Sequence, residues 1–338
     1  MKIQYVCFMI DSIAYARAGL VGNPSDGYNG KTISLIVKNF AAKILIYQSP
    51  TLHIEPQESD SNHFKNIYDL KEIVTLTGYN GGIPIIKAAI KKFCDYCDEN
   101  GIRLASKNFT LKYNSNIPRQ VGLAGSSAII IATLRGLMQF YDVEIPIERL
   151  PTIALEAEVK ELSINAGLQD RVIQAYEGCV YMDFEKEFLD RNGYGKYERL
   201  PLNKLPQFYI AYKTNLSKVS GKVLNDIKTK YVQGDTNVIN TLNDIAALAE
   251  TGKEAIENGD FDLLGELINE NFNNRRKIMA ITDSNNELVE TARSCGASAS
   301  FTGSGGAIIG IYKDNEMLQK LVYSLRNIQA RVIKPYII

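Results

Sequence analysis

The stretch Asn116–Tyr141 reads NIPRQVGLAGSSAIIIATLRGLMQFY, and the rest of the chain is organised around it. A polar approach containing Pro118 ends in Gly122, Leu123, Ala124, Gly125, Ser126 and Ser127, and the apolar run that follows has no charge before Arg135. Glycine admits left-handed backbone and lets a ligand approach the main chain. The two serines stand where a helix begins, as N-cap or first-turn residues. A helix N-terminus offers unpaired N–H groups and a positive dipole end, which suits phosphate. A capped core helix behind a glycine turn fits the same letters. The row of small residues up to Ala128, the two hydroxyls and a helix too apolar for a surface favour the anion cradle.

Upstream, Ser12–Val21 alternates small or polar with apolar residues and reads as a strand. It runs into the turn-rich Gly22–Gly30. Thr32–Lys38 and Ala41–Gln48 look like an antiparallel pair, with a short strand at Leu52–Glu55. Helical spacing from Phe64 to Asn100 breaks at Gly78–Gly82, and Asn108–Tyr113 is a strand feeding the central loop. Downstream, helices are expected at Ser126–Tyr141, Ile147–Leu162 and Leu168–Tyr176, with strands at Cys179–Phe184 and Phe208–Lys213. The polar segment Lys186–Lys204 reads as a link and sets the expected domains at 1–190 and 191–338. Four more helices, Gly221–Val232, Thr236–Asn258, Phe261–Ile278 and Asn286–Cys295, precede a second glycine turn at Phe301–Gly306. Strand Ala307–Tyr312, helix Glu316–Arg326 and strand Ala330–Ile333 close the chain. Elements are mixed without strict β-α alternation, so the expected class is α+β.

The 338 residues exceed one ordinary core, and 45 % hydrophobic content is that of a globular protein. Lys+Arg and Asp+Glu both number 38, so no general electrostatic case exists for nucleic acid or anionic membrane as a partner. No apolar run is long enough to span a bilayer and no convincing signal peptide stands at the start, so a cytoplasmic protein is expected. Five scattered cysteines argue against a disulfide framework, and Cys94-Asp95-Tyr96-Cys97 lies in a helical pattern without a second pair. His53 and His63 lie far from every glycine loop. Proton chemistry therefore falls to carboxylates.

Three glycine-rich turns remain to be explained: Gly22–Gly30, Gly122–Ser127 and Gly303–Gly306. No Walker A loop is present, and the dinucleotide fingerprint fails because Ile308 stands where a third glycine is needed. Protein-kinase signatures are missing too. Pro118–Ala128 resembles the second motif of the GHMP small-molecule kinases; Arg17–Asp26 (RAGLVGNPSD) resembles their first and Phe301–Ile308 (FTGSGGAI) their third. Order and spacing match over nearly the whole chain. Together with AGLQDRV, these stretches look most like the glucuronokinases, which phosphorylate a uronic acid at its anomeric hydroxyl. The resemblance implies a ribosomal-protein-S5-like N-terminal domain, a ferredoxin-like C-terminal domain, and ATP with Mg²⁺ as cofactors in the cleft between them.

Phosphoryl transfer needs in-line positioning, charge neutralisation and a partner for the attacking hydroxyl. By resemblance, Asp170 faces that hydroxyl and Arg17 faces Asp170. Without it, Asp170 reads as a first-turn helix carboxylate and Arg17 as a strand arginine in an ion pair. Glu158, twelve residues before Asp170, is the implied metal ligand, with Ser126 or Ser127 as the second. Glu156 and Glu161 are neighbouring rivals. Pro118, Gly122, Leu123, Ala124, Gly125, Ser126, Ser127 and Ala128 form the implied ATP site. Asn23, Ser25, Asp26, Arg171, Gly303, Ser304, Gly305 and Gly306 are expected around the sugar.

One departure bears on the substrate. Galactokinases of the family carry a glutamate where this chain has Asn23. Two carboxylates ~4 Å apart would repel by ~1–4 kcal/mol, enough to keep a uronate from a Glu-lined site. The uronate carboxylate should also want a cation, and Arg171, Arg119 and Arg275 are unranked candidates. Another GHMP sugar kinase (for galactose, arabinose or a heptose phosphate) and a non-catalytic sugar- or nucleotide-binding protein are the competing readings.

Overall fold

A computed structural model of the chain describes residues 9–56, 82–213 and 221–338. The alternating N-terminal segment forms β1 (Met9–Val21), whose burial alternates until Ala16 and is then complete. Its partner is β2 (Lys31–Ser49), one strand of 19 residues. Thr32–Lys38 and Ala41–Gln48, expected to pair with each other, are the two halves of this strand. Both halves pair antiparallel with β1, and the register shift between Tyr15 and Ala16 absorbs Lys38, Asn39 and Phe40. What looked like a hairpin turn is a bulge, which keeps the strand running while re-aiming its side chains.

The other edge of β2 is shared. β5 (Cys179–Asp183) pairs with Lys31–Leu35, and β4 (Asn108–Ser115) pairs with Ala42–Ser49. β3 (His53–Glu55) runs parallel to β4, and β6 (Lys196–Arg199) antiparallel to β5. The segment read as a link therefore carries a strand of this sheet, and before it α5 (Lys186–Asn192).

Helix α1 (Gly82–Glu99) is the second of the two helices expected between Phe64 and Asn100; the first lies outside the described residues. α2 (Gly125–Tyr141) is the apolar helix after the central loop, and Ile130, Ile131 and Leu134 are fully buried. It lies close on β1 and β2: Ser12 Oγ donates to the Ala132 carbonyl at 2.8 Å, and a Cβ at Gly136 would stand 2.9 Å from Ile46 Cδ1. α3 (Leu150–Glu156) starts with Pro151 in its first turn and widens into a π-helical turn at Ala157–Glu161. Such turns insert one extra residue and redirect the side chains they carry. α4 (Gln169–Tyr176) follows.

The second sheet is antiparallel, in the order β10 (Arg331–Ile333), β7 (Phe208–Tyr212), β9 (Ala307–Ile311), β8 (Ser300–Phe301). With it come α6 (Gly221–Val232), α7 (Thr236–Asn258), α8 (Phe261–Ile278), α9 (Asp283–Ser294) and α10 (Asn315–Asn327). One buried apolar cluster contains Ile44 and Ile130 as well as Phe208, Ile256 and Ile309, so the two sheets share a core.

Candidate active site

Arg17 leaves β1 just after the bulge and is 5 % exposed. Its Nε donates to Asp170 Oδ1 at 2.6 Å, and its Nη1 donates to the carbonyls of Gly122 (2.5 Å) and Thr302 (2.8 Å). One guanidinium thus joins the first turn of α4, the central loop and the loop before β9. The two loops also meet directly: Thr302 Oγ1 donates to Gly122 O at 3.0 Å, and a Cβ on Gly122 (φ +75°) would stand 2.8 Å from Gly305 O. No side chain fits there.

The central loop enters α2 through Ala124 in left-handed conformation, with no side-chain cap. Ser126 and Ser127 are first-turn residues, where backbone N–H groups have no intrahelical acceptor. The serines diverge. Ser127 Oγ turns back to Ala124 O at 3.2 Å, whereas Ser126 Oγ donates to Glu158 Oε1 at 2.6 Å. Gln174 Nε2 holds the same Ala124 carbonyl at 2.9 Å.

Glu158 sits in the π-helical turn and is 1 % exposed. Its second oxygen pairs with Arg171, which also donates to Gly167 O at 2.7 Å and lies 3.6 Å from Asp170 Oδ2. Glu156 instead pairs with Lys92 and Lys160, and Glu161 with Lys91. The turn separates the three glutamates, and Glu158 alone of them lies against the cradle. Among the described residues no cluster of three or more His, Cys, Asp or Glu could hold a metal by itself. Glu158 and Ser126 do fit Mg²⁺, which takes one or two carboxylates and completes its shell with water and phosphate.

Asp26 faces the same centre. Its Oδ2 accepts from the Gln169 N–H at 3.3 Å, and a Cβ at Gly167 would run into that oxygen. Burial first, and then the negative charge of Asp170, push its carboxyl up to about 6. Ser25 is spent on its own turn, with Oγ 3.0 Å from Lys31 O. Asn23 is buried, its Oδ1 accepting from Arg275 Nη1 at 3.0 Å and from Asn271 Nδ2 at 3.1 Å. Arg275 Nη2 donates to Gly303 O at 2.7 Å, and Gly306 N–H is held by Asn285 at 3.0 Å. Gly303 and Ser304 are partly exposed at the rim of this centre.

Asn271, Asn285, Gln169 and Thr302 were not anticipated. The signal for Asn271 existed: Leu264, Leu267, Ile268, Asn271, Arg275 and Ile278 form one buried helical stripe in α8. A polar residue in an apolar stripe has to be satisfied, and here its partners lie in the first glycine turn. Asn271 Oδ1 accepts from Gly22 N–H at 2.8 Å.

Comparison with known proteins identifies the family and the fold. Residues 84–178 match the family model described as GHMP kinases N terminal domain, and residues 253–329 match GHMP kinases C terminal. The chain is 46 % identical over 303 residues to the probable glucuronokinase 2 of Arabidopsis thaliana, covering 88 % of this chain and 82 % of that protein. It is 43 % identical over 306 residues to glucuronokinase 1 of the same plant, covering 89 % and 84 %. Among solved structures, the Lin0012 protein from Listeria innocua superposes with a TM-score of 0.80 at 16 % identity, over 97 % of this chain and 98 % of that one. Among the described residues no helix is long and apolar enough to cross a membrane.

Proposed function

The chain belongs to the GHMP kinase family, and on that premise we propose that it transfers the γ-phosphoryl group of ATP to the anomeric hydroxyl of D-glucuronate. The products are glucuronate 1-phosphate and ADP. The observation that carries the reading is the Arg17–Asp170 pair, with Arg17 also donating to backbone carbonyls at both glycine loops, Gly122 and Thr302. The sugar comes from the 46 % and 43 % identity to proteins named as glucuronokinases.

Gly122 to Ser127 and the N-terminus of α2 hold the ATP phosphates, with Pro118, Leu123 and Ala128 shaping the loop. Asp170 orients the hydroxyl that attacks phosphorus and accepts its proton as the new O–P bond forms and the bond to ADP breaks. Arg17 keeps Asp170 in place and holds both loops, so the charge developing on the transferred group meets donors that need not reorganise. Glu158 and Ser126 would hold Mg²⁺, whose charge offsets that of the phosphates. Asp26 takes a sugar hydroxyl, and the Gly303–Gly306 loop covers the sugar.

The test is ADP release from purified full-length protein over a panel of neutral sugars and uronic acids with MgATP. Glucuronate should give the highest kcat/KM. A neutral sugar well above it would overturn the substrate assignment, and no sugar-dependent ADP with any acceptor would overturn the kinase reading.

A further inference from the structure

Three arginines converge on the candidate site, and two of them have carboxylate partners. Arg17 is paired with Asp170, and Arg171 with Glu158. Arg275 is 1 % exposed, yet its described partners are neutral: Asn23 Oδ1 at 3.0 Å and Gly303 O at 2.7 Å. Its Nε has no hydrogen-bond partner, and its one aromatic neighbour is the Phe301 ring at 5.2 Å. An Arg side chain offers five N–H donors, so this one is underused. A buried guanidinium with no carboxylate hydrogen-bonded to it is costly: burial first, and then the positive charge of Arg17, lower its proton affinity to about 10, and the more distant charge of Asp26 only partly opposes them. Asn23 and Gly303, the two residues its side chain hydrogen-bonds, belong to the first and third glycine turns, both of which border the sugar side of the proposed site.

We infer that Arg275 binds the carboxylate of the acidic sugar, an assignment that rests on the uronate reading above. A carboxylate accepts from guanidinium more strongly than a peptide carbonyl does, and does so through two parallel bonds. It can therefore displace Gly303 O from Nη2 and take the unpartnered Nε along the same edge. Gly303 and Ser304 are the partly exposed part of the wall and are the residues that give way.

The neutrality of Asn23 then has a specific purpose. Its oxygen stands 3.0 Å from Arg275 Nη1, so a carboxylate in its place would neutralise Arg275 within the protein. The amide holds the guanidinium in position and leaves its charge for the ligand. Asn23 acts through Arg275 and is a positioning residue.

The discriminating variant is Asn23→Asp, measured against Arg275→Gln and wild type in the full chain. The readouts are kcat/KM for glucuronate and for glucuronamide, its uncharged analogue, with the Tm of each protein. Asn23→Asp should hold Tm near wild type, because the new ion pair with Arg275 offsets the lost donation of Asn23 Nδ2 to Phe301 O (3.4 Å), while the preference for glucuronate over glucuronamide falls roughly 30-fold or more. Arg275→Gln should lose the same preference. If it does not fold, Asn23→Asp still decides. A preference that survives Asn23→Asp at wild-type Tm overturns the inference, as does an Arg275→Gln enzyme that loses both substrates equally. In those cases a wild type that prefers glucuronate leaves the uronate reading standing. A wild type with no preference for glucuronate brings down both.

Discussion

Asp170→Asn tests the centre of the site with the least change in shape. Arg17 Nε would still find an acceptor 2.6 Å away, because the asparagine oxygen replaces Oδ1. What disappears is the negative charge and the capacity to take a proton. The catalytic loss should be about 10²- to 10⁴-fold in kcat, or about 3–5 kcal/mol of barrier. The stability loss should be much smaller. The Asp170 side chain is 23 % exposed, and Arg17 keeps the Gly122 and Thr302 carbonyls. Discounted for solvent, removing that charge costs about 1–2 kcal/mol. Relief of Asp26 from the repulsion of Asp170 offsets part of it. Coupled ADP-release kinetics, calorimetric titration of ATP and a thermal melt separate these effects. The expected result is intact nucleotide binding, a Tm lower by a few degrees and a collapsed kcat. Near-wild-type kcat would remove Asp170 from the chemistry and leave it as a helix N-terminal carboxylate.

Glu158→Gln should raise the Mg²⁺ concentration needed for half-maximal rate and, by breaking a buried pair with Arg171, cost about 3–5 kcal/mol of stability. Glu156→Gln, which weakens contacts to the exposed Lys160 and to the buried Lys92, the latter still held by Asp95, should cost about 1–2 kcal/mol and leave the Mg²⁺ requirement alone; the opposite pattern would move the metal site. Asp26 has a folded pKa of about 6 against 3.8, so its ionisation opposes folding: its contribution is complete below 3.8 and is lost as pH rises through about 6. The Tm of Asp26→Asn minus that of wild type should therefore grow across that window and then level, and a difference that is flat from pH ~4 to ~8 would refute the assignment. Gly122→Ala must adopt a φ of +75° and push on Gly305 O, and should cost about 1–3 kcal/mol and weaken ATP binding. Wild-type Tm and affinity would mean the two loops do not meet as described.

The local elements were legible where one physical rule decided them. The apolar run after Ser127 has too few charges to be anything but a core helix, and the alternation after Asp11 lies on a strand buried on one face as far as Ala16 and on both beyond it. Thr32–Gln48 reads as a hairpin because a bulge and a turn share the same mark, a short polar break in an apolar run. Only the partner strand tells them apart: β1 crosses the break without stopping, so the two halves cannot fold back on each other. Lys186–Lys204 reads as a link because its charges suggest solvent. A short edge strand such as β6 is exposed along one side and carries such charges for the same reason.

The site divides along a similar line. The proposed phosphate loops are written in glycine and serine because such loops bind through the backbone itself, so their letters are distinctive. The residues that aim those loops are not distinctive, because any buried donor at the right height in a helix will serve. Arg275 shows the limit. By composition it is one of three basic residues in a row in α8, and nothing local separates it from Arg276, which pairs with Glu290 near the surface. The helical stripe does: counting from Leu264 and Ile268, position 275 falls on the buried face and 276 does not. An arginine on that face needs an anion or a set of carbonyls, and Asn23 and Gly303 supply only two oxygens for its five donors. The shortfall becomes visible once both ends of the chain are folded against each other, since Asn23 and Arg275 are 252 residues apart.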